Sequence, residues 1–453
     1  MTPRTGTAVQ RWSAVLLIAA FVGVTYGFGI YVFSQLLPTM SDDLGFSYAT
    51  AGRITGIGQF LFIVFAFGAT WLSHRFNGAV VVVGSAMLCT LCLIGVGLTS
   101  STVVLTGCLA VAAGTSASVY VPIVEIVPRL IDGNRRGTAL GIISSGTTYG
   151  VFVSAAIIPA LTGTVGWRAV WFAVAAVSVV LLIVAVRLFS RLGLFTDLPA
   201  RAGGSERPTS GARRRRSLAA GVAFVSVWMV GIWTIKFMNG FSFMSYQNFL
   251  APLLRDHGGQ TIGYSSAVWL TIAVVGAVAG FAVGRLGDLL GLRRTLTLCY
   301  GMFLASCLLL HAAQSGWPPF AAAALFGLSF YPIYGLVPAY VGRISTVSQA
   351  TLIFGLANVF QGGGGVVGNL VGGSVATHTA WLPNYYLLLG AGAFVLAAAT
   401  LLLPSDRARP DAATPADAGA DSAGTNSAGT ADAGTTDAGT DRRRAGRAAV
   451  DAR

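Results

Sequence analysis

The sequence predicts an all-α membrane protein: twelve transmembrane helices in two sets of six, with both termini cytoplasmic. Three observations predict it. The 453 residues are 54% hydrophobic and only 10% charged, with a mean hydropathy of +0.72, whereas a soluble domain carries roughly 25% charged residues. The apolar residues gather into runs that reach the roughly 20 residues needed to cross a bilayer. The basic residues fall on alternate connections between those runs, as expected when they set orientation.

The first run, 13–37, follows Arg4 and Arg11 as a secretory signal would, but it continues without a small-residue cleavage site, so it reads as a retained span. Further runs cover 48–72, 79–99, 102–127, 137–161 and 168–190, completing a first set over 13–190 after a short N-terminal segment, 1–12. Residues 191–223 are rich in Pro, Gly, Ser and Arg, include the run Arg213–Arg216, and read as a cytoplasmic linker. The second set, 224–404, holds runs at 224–250, 262–286, 294–314, 318–341, 349–375 and 381–404. Beyond it, 405–453 repeats "AGT" every five residues amid Asp, Ser and Thr, a composition that builds no core and predicts a disordered cytoplasmic tail.

With the N-terminus inside, the inner connections carry Arg75, Arg129, Arg135, Arg136, Arg187, Arg191, Arg285, Arg293, Arg294 and Arg343. The outer ones carry Asp42, Asp43, Arg168 and the self-cancelling pair Arg255 and Asp256. The net charge of +13 is therefore an orientation signal and not a nucleic-acid face. All five cysteines lie inside apolar runs; Cys89-x-x-Cys92 has no acid or histidine beside it and reads as helix packing.

The two sets repeat each other. "YVPIVEIVP" at 120–128 matches "FYPIYGLVP" at 330–338, so Pro122 falls on Pro332 and Pro128 on Pro338. "GFGIYVFSQLLP" from Gly27 matches "GFSFMSYQNFLAP" from Gly240 with one insertion. The turn after the eighth run reads Gly284-x-x-x-Asp288-x-x-Gly291-x-Arg293-Arg294, and its first-half copy is degenerate, with His74 at the Asp288 position and Asn77 at the Gly291 position. Glycines spaced by four form stripes at Gly146/Gly150, Gly276/Gly280/Gly284 and Gly364/Gly368/Gly372, where helices can approach closely.

Six plus six runs, this turn motif, "GNRRGTALGI" before the fifth run and "GWR" at 166–168 resemble the major facilitator superfamily over about residues 10–404. The resemblance implies two six-helix bundles around a central cavity, lined by the first, fourth, seventh and tenth spans, and alternating access by rocking. It also implies a conformational latch at Asp288, Arg293 and Arg294, with His74 and Arg75 as its weaker first-half counterpart. The fifth run, "GIISSGTTYG", lacks the Gly-Pro form of the family's antiporter motif.

An ionisable group inside a span is expensive unless it meets water, a partner or a ligand. Lys236, the only lysine of the chain, sits about eleven residues into the seventh run. It shares a helical stripe with Gly240, Phe243 and Gln247, too deep for easy snorkelling, and suits a substrate anion. Arg53 lies early in the second run, where it either snorkels outward or contacts an anion. Glu125 either pairs with Arg129 at i+4 or binds the coupling proton and faces Lys236 in the empty state. The rest of the candidate pocket comprises Tyr26, Tyr31, Gln35, Tyr120, Asn239, Tyr246, Gln247, Tyr331, Tyr334 and Gln361.

These residues lead to the expectation of a monomeric, proton-coupled secondary transporter of the cell membrane, working in the lipid bilayer on a small solute such as an organic carboxylate. A drug or metabolite exporter of the same fold is the alternative, and a non-transporting membrane sensor the alternative of another class. No nucleotide-binding loop, cofactor site, metal site, nucleic-acid face or catalytic cluster is expected.

Overall fold

In the computed structural model the described residues are 7–131, 135–195, 227–344 and 347–403, and they form helices and turns with no strand. The side chains of His74, Asp288 and Arg343, most of the central linker and the tail expected at 405–453 lie outside them.

The chain begins with α1 (Ala8–Leu44), started by a capping box in which Thr7 Oγ1 accepts from the Gln10 amide and Gln10 Oε1 from the Thr7 amide. This helix exceeds its apolar run at both ends, because apolar length measures bilayer contact and not helix length. It is α-helical to Val22, π-helical over Gly23–Tyr31 and α-helical again from Val32. Such a stretch re-phases the helix faces and frequently marks functional sites.

Then follow α2 (Tyr48–Phe76), α3 (Gly78–Leu98) and α4 (Thr102–Tyr120). After α4 the chain breaks at Val121–Pro122 and resumes as a short helix, Ile123–Leu130. The first set ends with α5, in two pieces (Arg136–Ser144 and Gly146–Thr164), and α6 (Trp167–Arg191). The second set holds α7 (Val227–Pro252), α8 (Ile262–Leu290), α9 (Leu292–Ala312), α10 (Pro318–Ile344), α11 (Val347–Ala376) and α12 (Leu382–Leu402).

Among the described residues ten helices are long and apolar enough to cross a membrane. The remaining two long helices, α7 and α11, have 26 and 30 residues and carry Lys236, Asn239, Gln247, Asn248, Gln361 and Asn369. Much of the polar interior lies on these two helices.

The sequence repeat has a backbone counterpart. Gly291, before α9, has φ +89° and ψ 149°, and Asn77, before α3, has φ +94° and ψ 136°. Asn77 is the only non-glycine with positive φ among the described residues. Its side chain holds that strained turn, accepting from the Ala79 amide at 3.0 Å and donating to the Leu194 carbonyl at 2.7 Å. The copy that looked degenerate is therefore the same turn. The Pro122/Pro332 pair diverges instead: α10 runs through Pro332 and Pro338 while α4 breaks.

Two seams within the sets bring backbone onto backbone. Gly146 and Gly150 of α5 lie against Ala19, Gly23 and Gly27 of α1, and Gly364 and Gly368 of α11 against Phe237 and Phe241 of α7. Only glycine leaves room there.

The two sets meet tightly at one end and part toward the other. At the sealed end Ser34 of α1 donates to Asn248 of α7, which donates to Asn369 of α11 at 2.8 Å. Arg255 donates to Thr39 at 2.6 Å, and Tyr48 donates to Asp256. Arg255 and Asp256, expected merely to cancel, thus reach across to the other set. Burial pushes the Asp256 carboxyl up, against the Tyr48 hydrogen bond and the Arg255 charge, which pull it down. Gly52 packs on Gly373, and the α2–α11 seam continues through Gln59–Gly365 to Ile63–Gly362. Toward the open end, Gly276 of α8 still touches Tyr331 and Thr148, but Gly280 and Gly284 on the same face have no atom within 4 Å of a built Cβ.

Removing the crossing bond by Tyr48→Phe is expected to loosen the sealed end without unfolding the protein. A cysteine placed at Thr39 should then react several-fold faster with a membrane-impermeant maleimide than in the Tyr48 background. An unchanged rate means this contact does not help seal the end.

Candidate functional site

Where the sets part, α1, α4, α7, α10 and α11 present the polar and aromatic side chains that the sequence singles out. Lys236 is only 2% exposed, and its Nζ donates to Gln361 Oε1 at 2.7 Å. Gln361 Nε2 donates in turn to the Tyr334 hydroxyl at 2.9 Å, and the Lys236 ammonium lies 5.4 Å from the Tyr334 ring centroid. Tyr334 is 38% exposed and Tyr120 43% exposed, so the parted sets show phenols to the open end. The amine is buried against Gln361 and the Tyr334 ring.

The tyrosines form a connected patch. Tyr26, at the centre of the π-helical stretch, packs edge-on against Phe62 at 6.1 Å and Tyr120 at 6.4 Å. Phe330 packs edge-on against Tyr331 at 4.9 Å and Tyr334 at 5.1 Å. Trp233 stacks on Phe360 at 5.7 Å beside Gln361. Asn239 is 3% exposed, near the Tyr300 hydroxyl. The wall is thus aromatic, rich in hydroxyl and amide groups, with one ammonium behind it.

Other expected residues lie elsewhere. The stripe shared by Lys236 and Gln247 is not a continuous cavity face: Gly240 abuts the Gln361 backbone, and Phe243 is buried among Phe303, Phe326 and Phe330. Tyr246 stacks on Phe326 at 4.1 Å and bonds Ser306 at 2.8 Å, inside the second set. Gln35 is 3% exposed and donates to Ser154 at 2.8 Å, tying α1 to α5. Arg53 is exposed and donates to Thr50 at 3.0 Å, away from Lys236.

Glu125 does not pair with Lys236. It is the third residue of the short helix after α4, where a carboxylate favours the helix dipole. It binds Arg129 at 2.6 Å with its side chain 33% exposed, and its second oxygen lies against Gly78 at the start of α3. Of the expected latch, Arg293 donates to the Leu403 carbonyl at 2.9 Å, joining α9 to the end of α12, and Arg294 is exposed. The Asp288 side chain lies outside the described residues. The "GWR" segment closes the α1–α2 turn onto α6: Arg168 and Trp167 Nε1 donate to Asp43 at 2.8 and 3.0 Å.

The Major Facilitator Superfamily model matches residues 19–281 and 232–436. The chain belongs to the Major Facilitator Superfamily. It is 28% identical over 402 residues to a "Chloramphenicol resistance protein" of Streptomyces lividans, covering 85% of this chain and 88% of that protein. The fold is similar to that of a bacterial homolog of the human lysosomal transporter Spinster, solved inward-facing and unoccupied. The TM-score is 0.66 at 15% identity, covering 89% of this chain and all of that one (100%). It is also similar to the nucleoside transporter NupG (D323A mutant), with TM-score 0.67 at 11% identity, covering 87% of this chain and 99% of that one. The superfamily member is a multi-pass membrane transporter of small molecules, and its family and fold point away from catalysis.

Sequence reasoning missed the π-helical stretch of α1, the buried Trp269 and the polar crossing Ser34–Asn248–Asn369. The crossing had a signal: "YQN" at 246–248 places two adjacent amides in an apolar run.

Proposed function

We propose that this superfamily member is a proton-coupled secondary transporter with twelve spans and cytoplasmic termini. It acts as a monomer in the cell membrane and carries a small aromatic organic anion by alternating access. The observation that carries this reading is Lys236: one lysine in the chain, 2% exposed, reached through a wall of phenols and amides. An ammonium held off water offers a point charge to a carboxylate, and the rings around it suit an aromatic body. With the termini inside, the open end faces the cytoplasm and the sealed end the exterior. The latch proposed for Asp288, Arg293 and Arg294 belongs to the opposite, outward-open conformation. Arg53, exposed near the outer edge, guides anions toward the entrance by long-range attraction.

The experiment is counterflow in proteoliposomes with radiolabelled benzoate-type carboxylates, their neutral esters and aromatic amines. Saturable exchange of carboxylates alone supports the reading; movement of esters or amines alone removes it. The second reading, export of a neutral drug, is favoured by the chloramphenicol resistance relative. It is tested by whether expression raises tolerance to chloramphenicol in a susceptible host.

Glu125 is the proposed proton site, because it is a carboxylate within an apolar run at the open end, with Arg129 as its partner between protonations. Glu125→Gln is then expected to keep counterflow within about twofold of wild type while losing most pH-gradient-driven accumulation. Accumulation at the wild-type level makes the residue a helix brace only.

A further inference from the structure

Apart from the cleft, a separate cavity opens beside the start of α1. It measures about 60 Å³ and is lined by Ala8, Arg11 and Trp12 of α1 and by Leu130, Ile131 and Arg135 of the α4–α5 connection. One water takes roughly 10–15 Å³ of such space, so the cavity has room for about four to six oxygen-sized groups. A phosphate group presents four.

The apolar side of the cavity is firmly placed. Leu130 and Ile131 are buried in the core of the first set, and Trp12 packs on the same cluster. Arg136 holds the connection in shape: its guanidinium donates to the Ile131 and Pro128 carbonyls at 3.3 and 3.5 Å, where a cation suits the end of the short helix Ile123–Leu130. Arg11, half-buried, and Arg135, exposed, are the charged residues left to line the space. Among the described residues the ion pairs are Arg129–Glu125 and Arg168–Asp43, and neither involves them. By sequence the two segments that meet here, 1–12 and 130–136, hold Arg4, Arg11, Arg135 and Arg136 against one acid, Asp132.

Two cations on one small cavity repel each other, and an anion between them relieves the repulsion. The position says which anion. Arg11 and Trp12 directly precede the apolar run that begins at residue 13, so the cavity lies where α1 leaves the hydrocarbon, at headgroup depth. Four of its six lining residues are apolar. That wall suits the glycerol and first acyl carbons of a lipid and offers nothing to a free ion.

We propose that this cavity is a binding site for an anionic phospholipid. Arg11 and Arg135 donate to the phosphate oxygens, and the Trp12 ring lies along the glycerol. The lipid thereby ties the start of α1 to the start of α5. The inference uses only the passage of α1 through the membrane and stands whatever the cleft transports.

The test is native mass spectrometry of the full chain, released from detergent with equimolar phosphatidylglycerol and phosphatidylcholine of identical acyl chains. Wild type is expected to prefer phosphatidylglycerol about tenfold for the first lipid bound, and the double variant Arg11→Gln, Arg135→Gln to fall within about twofold. Each single variant is expected to lie between the two, and these serve if the double variant does not fold. Arg191→Gln, which removes an exposed arginine at the end of α6 that does not line the cavity, is expected to keep the wild-type preference. Melting in detergent is the second readout: phosphatidylglycerol should raise the wild-type midpoint by about 3 °C and leave the double variant unmoved, while millimolar inorganic phosphate should move neither. Equal binding of the two lipids by wild type overturns the proposal. So does an Arg191→Gln loss as large as that of the cavity variants, which makes the preference one of general charge. Stabilisation by inorganic phosphate equal to that by the lipid makes the cavity a free-anion site and overturns it as well.

Discussion

Lys236→Met is expected to lower carboxylate counterflow by about two orders of magnitude or more, with the folded protein retained. Methionine keeps the length and apolar body of the lysine stem and removes only the charge. The lysine is 2% exposed, and its contacts include the Gln361 amide and the Tyr334 ring. An anion that replaces Gln361 at this nitrogen gains a charge-assisted bond away from water, and losing one partner of such a buried pair costs about 3–5 kcal/mol. That corresponds to at least a hundredfold in binding. Lys236→Arg keeps the charge, but a planar five-donor fork does not fit a space shaped for one ammonium, so rescue is expected to be partial. Counterflow by Lys236→Met at the wild-type rate sinks the anion reading. Unchanged movement of a neutral drug in the same variant favours the export reading instead.

Gly364→Val and Gly280→Val are expected to fail in different ways. A Cβ at Gly364 falls onto the backbone of Phe237 and Phe241, with no flexible side chain to yield, so α7 and α11 are forced apart. The expected result is little or no folded protein, because close backbone approach is the main attraction between helices in lipid. At Gly280 a Cβ meets nothing within 4 Å, so the variant should fold and melt like wild type. The face of α8 that carries Gly276, Gly280 and Gly284 is packed at its first glycine and open at the other two. If transport closes this end, α8 must approach α5 there, and an added isopropyl group blocks it. Turnover is expected to fall by about tenfold or more, with the open conformation trapped. Normal turnover in Gly280→Val excludes closure along this face.

Much of the site was legible because the residue type itself carried the message. Lys236 was conspicuous as the single lysine in an apolar run, and Tyr334 and Gln361 do stand at it. Glu125 and Arg129 were legible as an i,i+4 pair, since helical spacing alone brings them together. Helical spacing was also what misled: it put Gly240 and Phe243 on the face of Lys236 and Gln247. That face turns from the cleft into the second set, where α11 and the Phe303–Phe326–Phe330 cluster cover it. Asn77 looked like decay of the repeat because its letter differs from Gly291, yet side-chain hydrogen bonds let it adopt the glycine's backbone conformation.

The amino-acid order by itself determined the helices, their grouping into two repeated sets and the superfamily. Run length answers to bilayer thickness, charge placement to orientation and glycine spacing to close approach, and all are properties of neighbouring residues. Only the tertiary structure decided which end is sealed, which glycine face is open, and that Arg255 and Asp256 reach Thr39 and Tyr48. Those facts join residues some two hundred positions apart on different helices. A helical period says which side chains share a face and nothing about what stands opposite, and opposition across the seam decides what is bound.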